Sequence, residues 1–173
     1  MASLPFCVRL AQVVGIVGAG WLSGSLSAFS CNIIPGLLHS RREDHYPASS
    51  LLKQWRHFSE KEKAQSPSTV AVSAAAFAYL AWSGRPGTPL ATPSSFTWYC
   101  AAAALTLASI PFTFLAMSTT NRALLQKARC DAESINKEHE EVDRLVHRWS
   151  ILNGVHSLLP FLGCVAGVMA ISS

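Results

Sequence analysis

Charge is scarce in this chain of 173 residues, and the scarcity comes in blocks. Asp, Glu, Lys and Arg make up 14% of the sequence, against roughly 25% in a typical soluble protein. Residues 64–84 and 86–120 carry no charge at all. His39 is the one ionisable side chain besides cysteine in 10–40, and His156 holds the same place in 149–173. A soluble fold would have to bury several such helices inside one small domain, and surface-to-volume scaling leaves too little interior for that. Paired cysteines are missing too. Cys7, Cys31, Cys100, Cys130 and Cys164 are scattered, which excludes a disulfide framework, a zinc knuckle and a C-x-x-C redox site. Nor is there a one-sided basic excess. The segment 122–148 balances six Lys/Arg with six Asp/Glu, which argues against nucleic acid as a partner.

What is present is four apolar stretches, at about 10–34, 67–83, 96–118 and 150–171. A bilayer core of roughly 30 Å takes about 20 helical residues, and the second stretch, short and alanine-rich, fits this least well. The first runs to Pro35, beyond the roughly 7–15 apolar residues of a signal peptide, and reads as a retained span. The pattern predicts an all-α integral membrane four-helix bundle, a single four-span domain over 1–173. Its last span is continuous with a long charged helix. Segments 41–63 and 122–148 each hold six Lys/Arg, whereas Arg9 and Arg85 stand alone on the opposite side of that layout. Positive residues stay cytosolic, so both segments are expected there, with the termini and the 84–95 loop on the far side. Trp82 and Trp98 bracket that loop as interface aromatics do.

Within the first span, Gly20 and Gly24 continue into Ser27 and Cys31 as one small-residue stripe, the mark of a close helix–helix seam in lipid. Trp21 sits beside it, either as a lipid-facing side chain or as a pocket wall. In 41–63, Ser50 is placed to cap a short amphipathic helix with Leu51, Leu52, Trp55 and Phe58 on its apolar face, either lying on the headgroups or lidding the bundle.

The charged stretch from Asp131 to Arg148 passes without a breaker into the last span. There Val142, Val146, Trp149, Asn153, His156 and Pro160 share one helical face. An amide and an imidazole on one face inside a bilayer are costly, and such groups tend to be functional. His139, Asp143 and His147, spaced by four, invite a metal reading, but a helix this rich in charge produces such triplets without a metal. No metal site is expected. Paired haem ligands would need two facing intramembrane histidines, and His156 is alone.

"GWLSG" in the first span, Pro35 closing it, "PFTFLAMSTTNRAL" at the end of the third and "RWSILNGVHSLLPFLG" in the fourth resemble the small four-span anthrone oxygenases of fungal polyketide pathways, over nearly the whole chain. The chain departs from that pattern at Thr119 and His156, where relatives often carry Pro and Arg. The resemblance implies a monooxygenase-type oxidoreductase of secondary-metabolite biosynthesis. It would oxidise an anthrone methylene to a quinone carbonyl with dioxygen as co-substrate and without metal or flavin. Such chemistry needs a base, donors for the resulting anion and a dry aromatic slot. His156, Asn153 and Asn121 are the expected catalytic residues, and Arg122, Trp149, Thr120 and Trp21 the expected substrate-binding ones. The expected partners are a small aromatic polyketide and the lipid bilayer, with self-association into a homo-oligomer left open. The expected site is the endoplasmic reticulum or a related endomembrane. A non-catalytic membrane scaffold of a biosynthetic pathway is the alternative.

Overall fold

The structure is a computed structural model and describes residues 5–88 and 93–172. Residues 1–4, 89–92 and 173, which belong to the two termini and the 84–95 loop, lie outside the described part. Every regular element among the described residues is helical. Helix α1 (Phe6–Ala28) passes through a π-helical turn (Phe29–Ile33) into α2 (Ile34–Glu43). Helix α3 (Ala48–Ser83) is followed by α4 (Pro93–Leu107), α5 (Ser109–Phe112), a second π-turn (Thr113–Met117) and α6 (Ser118–Lys127). The short α7 (Ala132–Lys137) precedes α8 (His139–Ser172).

Prolines explain the interruptions. A proline has no N–H for the carbonyl four residues back, and its ring collides with that carbonyl. For Pro35 that carbonyl is on Cys31, inside the first π-turn, whose wider turn takes the ring without breaking the run. For Pro111 it is on Leu107, where α4 ends.

Three runs, Phe6–Glu43, Ser94–Lys127 and His139–Ser172, are long and apolar enough to cross a membrane. They contain the stretches 10–34, 96–118 and 150–171. The fourth stretch, 67–83, is the second half of α3, which is not among the three. Valine, leucine and isoleucine number only three there, and alanine and serine make up nine of the seventeen residues. The chain is an all-α membrane protein, with Val17, Trp21, Phe114 and Leu115 among the large apolar side chains left exposed.

The chain packs as two compact units. The first takes in residues up to 24, 66–111 and from 157 onward. It is a four-helix cluster built around Phe77, which is fully buried. Small residues make room for that ring: a Cβ at Gly15 would lie 2.8 Å from Phe77 Cε1, and one at Gly167 would lie 2.7 Å from the same atom. At Gly163 a Cβ would meet Thr106 Oγ1 at 2.7 Å. This corrects the expected seam. Gly20 has only ordinary contact, with Cys164, and Gly24 has nothing within 4 Å. The close approaches are made at Gly15 and Gly18, whereas Gly20 only touches Cys164 of α8 and Gly24 meets open space. Gln12 donates to the Tyr99 hydroxyl at 3.0 Å, and Ser95 to the Ala170 carbonyl at 2.9 Å.

The second unit takes in residues 25–65 and 112–156. Ile34, Leu38, Leu51, Leu52, Trp55, Leu124, Val142, Val146 and Trp149 form its core. Arg41 Nε donates to Asp143 Oδ1 at 2.6 Å and Arg41 Nη1 to the Tyr46 carbonyl at 2.9 Å. Two further expectations change here. No separate amphipathic helix starts at Ser50: α3 begins at Ala48 and runs through Pro67. Leu51, Leu52 and Trp55 are core rather than headgroup contacts. The charged stretch also breaks at Glu138, between α7 and α8. The Asp131 carboxylate caps α7 by accepting from the Ser134 N–H at 2.9 Å, and these bonds hold its carboxyl below the usual range. Lys127 pairs with both Glu138 and Glu141 across the break.

Candidate functional site

One face of α8 carries the polar row. Val142, Val146, Trp149, Asn153, His156 and Pro160 are all buried, as the periodicity predicts. The row begins with two tryptophans. The Trp55 and Trp149 rings meet edge to face, 6.0 Å between centroids at 87°, the arrangement that the ring quadrupoles favour. Trp149 Nε1 donates to Asn121 Oδ1 at 3.0 Å. That bond fixes the Asn121 amide and leaves its Nδ2 without a hydrogen bond among the described residues.

One turn further along α8, Asn153 Nδ2 donates to the Leu26 carbonyl at 2.9 Å and to Ser30 Oγ at 3.1 Å. Its Oδ1 is buried with no hydrogen-bond partner among the described residues. Thr120 Oγ1 and Trp55 Nε1 are in the same condition. A buried polar group left unsatisfied costs roughly 1–3 kcal/mol; three such groups lie in the second unit, and Ser73 Oγ is another in the first. His156 is 7% exposed, and its ring stacks on Phe112 at 5.3 Å and 16°.

Six of the seven expected residues therefore belong to the second unit: Thr120, Asn121, Arg122, Trp149, Asn153 and His156. Arg122 stands apart from the buried group because its side chain is exposed. Trp21 lies in the first unit, 71% exposed, on the outer side of α1. Sequence reasoning missed Phe112, the face against which His156 lies, and the polar end of Trp55. The signal for Trp55 was available in its register with Ser59 and Glu62, which continues the α3 core face.

The opposite side of α8 lines a groove of about 670 Å³ with the first helical run. Ser30, Ile34, Pro35, His39, Arg42, His147, Ser150 and Gly154 are among its walls. Ser150 Oγ donates to the Ser30 carbonyl at 3.0 Å, so Ser30 separates the groove from Asn153. Among the described residues no three His, Cys, Asp or Glu side chains gather as metal ligands. Of the spaced triplet, Asp143 is held by Arg41 and His139 Nδ1 lies 3.2 Å from the Asn136 carbonyl.

The family model described as "Anthrone oxygenase" matches residues 55–166, from Trp55 through the whole polar row. The chain belongs to the anthrone oxygenase family. It is 32% identical to an anthrone oxygenase of Aspergillus fumigatus over 172 residues, covering 93% of this chain and 92% of that one. An anthrone oxygenase of Claviceps purpurea is 32% identical over 164 residues, with 94% and 88% covered. A noranthrone monooxygenase of Aspergillus flavus is 26% identical over 165 residues, with 92% and 72% covered. No solved structure matches the chain.

Proposed function

We propose that this anthrone oxygenase family member oxidises the methylene of an aromatic polyketide anthrone to a quinone carbonyl, using dioxygen and no metal or flavin. One anthrone and one dioxygen give one quinone and one water. The observation that carries this reading is the polar group around Trp149, which combines an imidazole, two carboxamides and unsatisfied donors beside the apolar core of the second unit.

The chemistry suits what the row offers. An anthrone is a weak carbon acid, and the neutral imidazole of His156 takes one methylene proton. A positioned base supplies roughly 10²–10⁴-fold. The anion is delocalised onto the carbonyl oxygen, where Asn121 Nδ2 and the Thr120 hydroxyl donate hydrogen bonds. Preorganised donors of this kind are worth roughly 10²–10³ each in the best-studied cases. Asn153 Oδ1 accepts from a phenolic hydroxyl, a role that its fixed amide orientation dictates. The electron-rich anion passes one electron to dioxygen, and the two radicals combine as a peroxide. Protonation gives the hydroperoxide. Loss of the remaining C–H proton, with cleavage of O–O and departure of hydroxide, gives the quinone. Phe112 and the paired indoles supply flat apolar walls.

The protein acts in a membrane of the endoplasmic reticulum or a related compartment, within secondary-metabolite biosynthesis, with 41–63 and 122–148 facing the cytosol. Its partners are the aromatic polyketide and the bilayer; self-association remains compatible with this reading. The test is to supply an emodin-type anthrone to membranes containing the protein and to follow quinone formation against a boiled control. Formation above that control supports the reading. An intact protein giving no more than the spontaneous rate overturns it and leaves the scaffold.

A further inference from the structure

Collapse of the hydroperoxide makes two demands at once. A base must take the second C–H proton while an acid delivers a proton to the departing hydroxide. His156 serves one of these roles, and no other residue in the row of α8 has an ionisable side chain. We propose that Glu62, on α3, is the second proton-transfer residue of this site: as the neutral acid it protonates the leaving hydroxide while His156 takes the remaining C–H proton. This assignment rests on the oxygenase reading above.

The placement follows from register. Trp55 on α3 and Trp149 on α8 meet ring to ring. In both helices the residues that follow that contact lead on along the chain into the first unit. Seven residues on, which is two turns and about 10 Å, α3 presents Glu62 and α8 presents His156. Seven steps of 100° return almost to the starting face, so each lies on the side of its helix that carries the tryptophan. Burial agrees: Trp55 and Ser59 are buried and Glu62 is partly buried, while Glu60, Lys61, Lys63 and Ala64 are exposed.

Glu62 is also unlike Glu60, the other carboxylate on α3. Glu60 on the outer face is bound by Arg56 at 2.7 Å. Glu62 has no hydrogen bond or ion pair among the described residues. Burial pushes its carboxyl up to about 7, and the neighbouring charge of Lys63 only partly opposes this. A carboxyl in that range is divided between acid and base at neutral pH, which suits a group that gives up a proton in one step and recovers it in the next. The charged group that bears on it is Lys63, on its own helix.

The step predicts a particular failure. Glu62→Gln keeps the first deprotonation and oxygen uptake but starves the collapse of its acid. In wild type, oxygen consumed and quinone formed stay one to one. In Glu62→Gln we expect oxygen uptake within about threefold of wild type, quinone formation slower by roughly tenfold or more, and hydroperoxide detectable with ferrous xylenol orange. Glu62→Asp should give a ratio between the two. A ratio of one in Glu62→Gln, or a parallel fall of both rates in protein that remains monodisperse in detergent, overturns the assignment. If Glu62→Gln does not accumulate, Glu62→Asp decides alone: a ratio above one supports the role and a ratio of one overturns it. Wild-type membranes with no oxygen uptake above the boiled control would defeat the oxygenase reading itself, and that outcome is seen before any variant is made.

Discussion

Phe77 and Trp55 are both fully buried aromatic side chains on α3, and the two units hold them by different means. In the first unit, Phe77 is enclosed by the absence of side chains at Gly15 and Gly167. Helices approach closely, and the buried polar groups there are small hydroxyls: Ser23, Ser73, Thr106, Ser109 and Ser157. In the second unit, Trp55 meets another large ring, and its own N–H is left without a hydrogen-bond partner among the described residues. Asn153, Thr120 and His156 are buried in that unit as well. The first pattern minimises volume with small residues, as membrane helix packing does generally. The second accepts polar cost, and a protein retains that where chemistry needs it. On the proposed reading, structure falls to one unit and reactivity to the other, and substitutions in each should fail in different ways.

The largest effect is expected in the first unit. Gly167→Leu puts its Cβ 2.7 Å from Phe77 and 3.1 Å from Ile16, with the rest of the side chain still to place. Overpacking typically costs roughly 1–3 kcal/mol and sometimes more, so the protein should lose thermal stability in detergent and its activity with it. Gly24→Ala, which meets nothing within 4 Å, should stay within about 0.5 kcal/mol of wild type. If both behaved alike, the close-packed description of this unit would be wrong.

Next comes the second unit's chemistry without its fold. His156→Gln should lower quinone formation by about 10²-fold, the scale of a lost general base, with thermal stability little changed. His147 is the matched control. It lies nine residues earlier, roughly half a turn around α8, exposed in the groove rather than in the polar row. His147→Gln should be nearly silent. A silent His156 together with a damaging His147 would move the reacting substrate into the groove, where His39 also lies.

A smaller, mixed effect should follow from Trp149→Phe. The ring contact with Trp55 largely survives, but Asn121 loses the N–H that holds its Oδ1. An orphaned acceptor costs roughly 1–3 kcal/mol. The freed amide should lower kcat by about tenfold, equivalent to roughly 1.4 kcal/mol of transition-state stabilisation. Asn121→Ala in the same background should then add little, since coupled residues are not additive.

Much of this was legible in the sequence, for identifiable reasons. The α8 face from Val142 to Pro160 could be read because helical periodicity survives any context, and each of those residues is buried. The three strongest spans could be read because their charge-free runs leave little choice. The glycine seam was misplaced because spacing shows which residues are small, not which ones face a neighbour; Gly15 and Gly18 had the same i,i+3 credentials as the stripe that was chosen. Trp55 was read as an apolar anchor because an indole N–H is invisible to hydropathy. Phe112 was not read at all, since its partner lies 44 residues away and the π-turn beside it carries no simple sequence signature.

The smallest expected effect is the one that tests the division of labour most directly. Trp21 shares α1 with Leu26, whose carbonyl accepts from Asn153, so sequence proximity alone would bring it into the site. Its side chain is nevertheless 71% exposed and belongs to the first unit. On a membrane helix such an indole faces lipid, where leucine serves nearly as well. Trp21→Leu should therefore leave both KM and kcat for the anthrone within about twofold and stability within about 0.5 kcal/mol, the usual range for an outward-facing substitution. A rise in KM with unchanged stability would show the indole reaching substrate. The reactive region would then extend into the unit assigned to structure alone, and the contrast between Phe77 and Trp55 would describe packing without describing function.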